Sequence, residues 1–383
     1  MAKTTGGRVK NFLFHDLSQN ILIGTASDRY AGWIGQIYSE GRYEKGITRR
    51  SHKVGDKTFP EETLPVESIS EYFEHFPLLE IDYTFYRLLV EKDRKPTQNF
   101  QVLRSYRQHM KDGDRVLLKA PQIVIARKIR RGSSFVENEN YLNPEIFTKQ
   151  FYQPAIEILG PCLNGFIFEQ EYHVKNDRFP PTKLAQDLDE FFSKLPSDTR
   201  YHIELRTEAY LVDPVFHVLK KHGVGLVFSH WTWLPPLRKQ LTKVKAEFFN
   251  SGRQAVIRLI TPLRMSYEES YAKAFPFDKM VPGMLDAGMI EDAARIVNEA
   301  MKTKVQVNFI INNRAGGNAP LIAQTIADKL HLLPVESAGR LDEGRGGDCP
   351  ATRKAGQNIL LNRSRFSKIW QECEVRLPLW PEI

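Results

Sequence analysis

With 383 residues, 42% of them hydrophobic and 11% aromatic, the chain can bury one barrel-sized core of roughly 250–300 residues plus extensions, or two ordinary domains. Its net charge of +8 is mildly basic and raises the odds of an anionic partner, nucleic acid included, without demanding one. No run of about 18 apolar residues occurs, which excludes a membrane-spanning helix.

Residues 1–19 are polar and irregular, without the apolar core of a secretory signal. Ile21–Thr25 reads as a first strand. Residues 41–67 carry Arg42, Lys45, Arg49, Arg50, His52, Lys53 and Lys57 among Gly and Pro, the pattern of a surface insertion. A helix is expected near 67–74. Leu78–Tyr86 then alternates, with Leu79, Ile81, Tyr83 and Phe85 on one face and Glu80, Asp82, Thr84 and Tyr86 on the other, so it reads as one strand. Beyond it come a helix over 99–110, a strand Arg115–Lys119, a helix 145–159, a strand Phe166–Gln170, a helix 182–195 and a strand Tyr201–Arg206. The helix 213–222 has Asp213 as a plausible N-cap and Gly223 as its stop. Strands 225–229, 254–260 and 305–312 follow, with helices 291–302 and 320–330 after the last two.

Eight strands separated mostly by helices predict an α/β fold, a (β/α)8 TIM barrel over 20–335 with the 41–67 insertion in its N-terminal half. An open doubly wound sheet competes, but no strand runs into a Gly-x-Gly-x-x-Gly turn. Residues 336–383 lose all periodicity and read as an irregular C-terminal extension. Cys162, Cys349 and Cys373 are odd in number and lack zinc spacing, so a reducing, cytoplasmic setting is expected.

Barrel strands are covered on both faces, so charges within them are costly unless paired or placed at the open mouth. The strands hold Glu80, Asp82, Lys119, Glu169, Glu204, Arg206 and Arg258, with Asn308 and Asn312 adding amides. One reading is a structural ion-pair network. The other is a polar pocket, in which clustered carboxylates raise one another's pKa or hold a divalent cation. His202 opens its strand, at the wrong end for a mouth; His230 ends its strand and is placed to line one. Between Asn312 and Pro320, Gly316 and Gly317 allow close backbone approach, and the helix N-terminus beyond them offers an anion site. Arg127, Lys128, Arg130 and Arg131 add a basic run on the same side.

Ile23-Gly24-Thr25 with Gly32-Trp33, then Glu80-Ile81-Asp82-Tyr83-Thr84-Phe85-Tyr86, Lys119-Ala120-Pro121, Glu204-Leu205-Arg206 and Asn312-Asn313…Ala319-Pro320 together resemble the ordered motifs of the YecE-like family, domain of unknown function 72. The resemblance spans roughly 21–330 and implies a TIM barrel. It implies little chemistry, because the family's activity is not established. Two family histidines are replaced: the Thr-His positions after Lys-Ala-Pro are Ile125-Ala126, and the seventh strand reads Arg258-Leu259-Ile260-Thr261-Pro262.

Three functions follow as expectations. In the first, an enzyme acts on a polar anionic small molecule, phosphate- or sugar-like. Glu204 is its general acid/base, Lys119 and Arg258 hold the anion, and Asp82 and Tyr86 orient it, with Glu80, Glu169, Arg206, Asn312, Gly316 and Gly317 lining the site. The second is a nucleic-acid binding or processing protein using the basic segments and Trp33, Tyr86, Trp231 and Trp233 as stacking surfaces. The third is a non-catalytic binding barrel.

Overall fold

The computed structural model describes residues 11–331 except 16, 19, 132 and 133. The expected C-terminal extension lies outside the described residues, as do the first ten residues and positions 332–335 of the expected barrel domain.

Eight parallel strands close on themselves: β1 Ile21–Ala26, β2 Leu78–Ile81, β3 Arg115–Lys119, β4 Leu163–Glu169, β5 Tyr201–Glu204, β6 Gly225–His230, β7 Gln254–Leu259 and β8 Gln306–Ile311. Each pairs with its neighbours in chain order, and β1 closes the ring on β8. Helices cover the outside, among them Gln98–Gln108, Pro181–Ser193, Asp213–His222, Ala287–Lys302 and Ala319–His331. The longest shows why they form: Met289, Ile290, Ala293, Ala294, Ile296, Val297 and Ala300 recur at three- and four-residue steps and are all buried. The helix Asp213–His222 ends on Gly223 at φ 63°, the left-handed stop its position predicts, although Val212 rather than Asp213 occupies the cap.

Inside the ring, Ala26, Leu78, Leu117, Ile167, Val227, Val256 and Ile310 pack into an apolar plug, so the barrel is filled rather than open. Gly24 is required here, since a Cβ on it would lie 2.0 Å from the Leu78 carbonyl oxygen of the adjoining strand. Below the plug, Asn308 donates to the Gln254 side chain at 3.0 Å and accepts from Asn164 at 2.8 Å. His202 faces the same lower region, as expected of a packing residue, and burial depresses its pKa to about 4.

Two expectations are corrected. The strand read over 78–86 stops at Ile81. Asp82 turns helical, Tyr83–Phe85 forms a 3-10 turn, and the Thr84 hydroxyl donates to the Ile81 and Lys119 carbonyls. Those side-chain bonds replace the ladder and abolish the alternation. The strand read over 201–206 likewise ends at Glu204, leaving Arg206 in the following loop. Within the 41–67 insertion, Thr48–Val54 and Lys57–Thr63 pair as an antiparallel hairpin around Gly55. Arg50 pairs with Glu61 at 2.7 Å across the strands, and Phe59 packs edge-on against Tyr271. High polarity hid the strand period there.

Candidate functional site

A strand's side chains alternate, so residues two positions beyond the plug point the same way and one layer higher. Leu78 thus sets Glu80, Leu117 sets Lys119, Ile167 sets Glu169 and Val256 sets Arg258. Glu204 joins them through its register with Glu169, and Ser229 through its register with Arg258. The layer lies at the C-terminal ends of the strands, where barrel enzymes collect their reacting groups.

Arg258 is the hub. Its Nη2 donates to Glu80 Oε1 at 2.6 Å, and its Nη1 to Glu169 Oε2 at 3.0 Å and to Glu204 Oε2. Glu169 Oε2 also meets Lys119 Nζ at 2.7 Å and Arg206 Nη2 at 2.8 Å. Arg206 Nε closes the circuit on Glu204 Oε1 at 3.2 Å. Three carboxylates face three cations, so the layer is neutral. Glu80 and Glu204 are completely buried, whereas 17% of the Arg206 side chain is exposed, which places it at the rim.

The protonation states follow from these contacts. Burial works to raise Glu204, but Arg206 and Arg258 outweigh it and its pKa is lowered. The same balance, with Lys119 added, holds Glu169 well below the usual carboxylate range. Burial prevails at Glu80, whose pKa is raised despite Arg258 and Lys119. Glu204 is therefore not poised as the expected acid/base: both its oxygens are bonded to guanidinium groups that keep it ionised. Nor does Arg258 offer itself to an incoming anion, because three carboxylates already occupy it.

Asp82 and Tyr86, expected beside Glu80 on one strand face, instead stand above it on the turn. Asp82 is half-buried and accepts from the Ser27 hydroxyl at 2.7 Å. Electrostatics links Tyr86 to Asp82, Tyr267, Glu169 and Arg314; burial first, then the acids and Tyr267, raises its pKa. Asn312 follows β8, and its Oδ1 accepts from the backbone N–H of Arg314 at 3.0 Å and from its Nε at 3.1 Å. This holds the Arg314 guanidinium 4.3 Å from the centre of the Tyr267 ring. Among the described residues, no carboxylate pairs with Arg314. In the sequence its one signal is its place directly after Asn312-Asn313, just past the end of β8. Tyr267 carried none.

Gly316 and Gly317 serve a different purpose from the expected anion cradle. A Cβ on Gly317, at φ 114°, would lie 2.3 Å from the Lys279 carbonyl oxygen, and one on Gly316 would meet Leu285 and Ile322 at 3.2 Å. The glycines admit a neighbouring chain segment. The helix start beyond them is capped by its own side chains: Ala319 N–H donates to Asn313 Oδ1 at 2.8 Å and Leu321 N–H to Asn318 Oδ1 at 2.9 Å. The divalent-cation reading also lacks support, since among the described residues no three His, Cys, Asp or Glu side chains are arranged to hold a metal. Arginine and lysine neutralise the carboxylates instead.

His230 is 1% exposed, bonded through Nδ1 to the Thr261 carbonyl at 2.8 Å, and kept neutral by burial. Trp33 is fully buried and donates to Asn313 Oδ1 at 3.2 Å, so it joins two of the quoted motifs rather than stacking on a ligand. Trp231 and Trp233 do reach the surface after β6. Trp233 stacks on Tyr172 at 5.9 Å, Trp231 meets the same tyrosine edge-on, and the Arg206 guanidinium lies 4.8 Å over Trp231. In the basic run, Lys128 is paired with Asp177 at 3.1 Å, and Arg127 lies over the Phe179 ring.

A filled parallel α/β barrel with a charged C-terminal mouth is the class that fold and site define. The chain belongs to the family described as "Protein of unknown function DUF72", whose family model matches residues 22–340. A DUF72 family protein from Thermotoga maritima is 14% identical, with 81% of this chain and 97% of that one covered and a TM-score of 0.46. One from Enterococcus faecalis is 15% identical, with 82% and 96% covered and a TM-score of 0.44. No curated protein matches the chain. Among the described residues, no helix is long and apolar enough to cross a membrane.

Proposed function

We propose that the chain is an enzyme that binds a small, polar, anionic molecule at the barrel mouth and moves a proton on it. One observation carries this reading. Above a neutral and mutually bonded floor, the rim presents a guanidinium, Arg314, and a carboxylate, Asp82, neither of which has an ion-pair partner among the described residues. Arg314, steadied by Asn312, holds the anionic group. Asp82, steadied by Ser27, accepts a proton from the bound molecule and returns it at a second atom. Tyr86 orients the substrate between them. Glu80, Glu204 and Arg258 keep the fixed charges of the floor in place. Acid–base work thus shifts from Glu204 to Asp82.

Isothermal titration with ribose 5-phosphate, a probe carrying a sugar and a dianion, tests the binding half. Arg314→Ala should weaken binding at least tenfold, while Asp82→Asn should leave it within about twofold; equal binding by wild type and Arg314→Ala removes the assignment. For the chemical half, the protein is incubated with a mixture of sugar phosphates and followed by mass and NMR spectra. Wild type should convert a component that Asp82→Asn leaves untouched. A component that binds yet emerges unchanged from both would favour the non-catalytic barrel, a reading supported by the ion pairs that engage every floor carboxylate. For the nucleic-acid alternative, oligonucleotide binding should weaken steeply with salt through counterion release.

A further inference from the structure

The mouth has two unlike arcs. Around β8, β1 and β2 it carries Arg314, Asn312, Ser27, Asp82 and Tyr86, which are polar or charged. Around β4, β5 and β6, on the opposite side of the ring, the loops carry Tyr172, Arg206, Trp231 and Trp233. Trp233 is 50% exposed, a large cost in apolar surface for a residue so close to a strand end. It is not a stray side chain. Tyr172 stacks along it with the ring planes 26° apart and meets Trp231 edge-on at 62°. Arg206 covers Trp231 with its guanidinium while bonding Glu169 and Glu204 of the floor. The aromatic group is therefore fixed to the ionic layer through one shared arginine, and Lys119 is fixed to the same Glu169.

We propose that Tyr172, Trp231 and Trp233 form a stacking subsite for a flat, heteroaromatic ring, and that the mouth's ligand is a molecule with such a ring at one end and an anionic group at the other. The subsite deepens the proposed function and rests on it for the position of the anion. Charge favours this occupant: a π-face is attracted both to the tryptophan ring and to the Arg206 cation beside it. Continuity favours it as well, since Arg206 belongs to the floor network and to the platform, so one ligand spanning the mouth touches both arcs.

Three probes separate the two ideas: adenosine 5′-monophosphate, adenosine, and ribose 5-phosphate, titrated calorimetrically and by tryptophan fluorescence. The monophosphate should bind wild type about tenfold more tightly than ribose 5-phosphate, the gain of one stacked base. Trp233→Ala changes an exposed residue and should erase that tenfold advantage, leaving ribose 5-phosphate unchanged; Tyr172→Ala should do the same. Adenosine should quench wild-type fluorescence and not that of Trp233→Ala. Equal affinities for the monophosphate and ribose 5-phosphate in wild type overturn the subsite and leave the anion site standing. Adenosine binding that depends on Trp233, with no gain from the phosphate, upholds the subsite and overturns the anion site. Absence of binding by both adenosine-containing probes overturns the subsite.

Discussion

Replacing Arg258 by Leu tests whether the floor of the mouth is a neutralised layer. The substitution leaves two cations facing three carboxylates. Glu204 keeps Arg206, and Glu169 keeps Lys119 and Arg206, but Glu80 loses its one hydrogen-bond donor among the described residues. A buried charge stripped of its partner costs about 3–5 kcal/mol, which for a barrel of this size lowers Tm by roughly 5–15 °C. The sign with pH is specific. Burial already places the Glu80 pKa above its ordinary 4.5, and loss of Arg258 drives it higher. A carboxyl raised on folding destabilises the native state above its unfolded pKa, and that cost disappears as pH falls toward 4.5. Urea unfolding at pH 7.5 and pH 4.5 should therefore show a wild-type–variant gap that narrows in acid. Adding Glu80→Gln to Arg258→Leu should recover a large part of the loss at pH 7.5. An equal gap at both pH values, or no recovery in the double variant, refutes the reasoning.

Two further outcomes can be checked. Asp28 is buried, and desolvation, offset in part by Arg29 and the Tyr106 hydroxyl, raises its pKa from 3.8 to about 6. Its contribution is thus fully present below pH 3.8 and lost as pH rises through 6. Asp28→Asn should remove this slope, so the variant should gain roughly 2–3 kcal/mol on wild type between pH 4 and pH 7.5 in urea unfolding; parallel curves would count against it. Gly317→Ala places a methyl group on the Lys279 carbonyl at a positive φ, and should lower unfolding stability by at least about 2 kcal/mol in the same assay; an unchanged midpoint would contradict the packing role.

The barrel was legible because its strands are short apolar runs at steady spacing, and because Glu80, Lys119, Glu169, Glu204 and Arg258 break those runs near their C-terminal ends. Convergence of these five at one rim follows from strand parity and parallel order, both readable in one dimension. Their pairing was not legible. Whether Glu204 faces a substrate or two guanidinium groups depends on shear between β5 and β7, which are not neighbours in the sheet. Asp82 and Tyr86 were assigned by an alternation that Thr84 interrupts through side-chain bonds to two carbonyls. Gly316 and Gly317 carry a pattern shared by anion loops and by tight packing; only the position of Lys279 separates the two. Arg314 and Tyr172 lie in loops, where no period marks them.

The reach of Arg258 across the lumen has a further consequence. One side chain from β7 grips acids borne by β2, β4 and β5, so the upper rim is cross-braced like a spoked wheel. Its dipoles are aligned before any guest arrives, and their solvent has been shed during folding rather than during encounter. For the ligand proposed above, recognition at such an opening would spend little on reorganisation, and selectivity would fall to the few looser side chains perched around its edge.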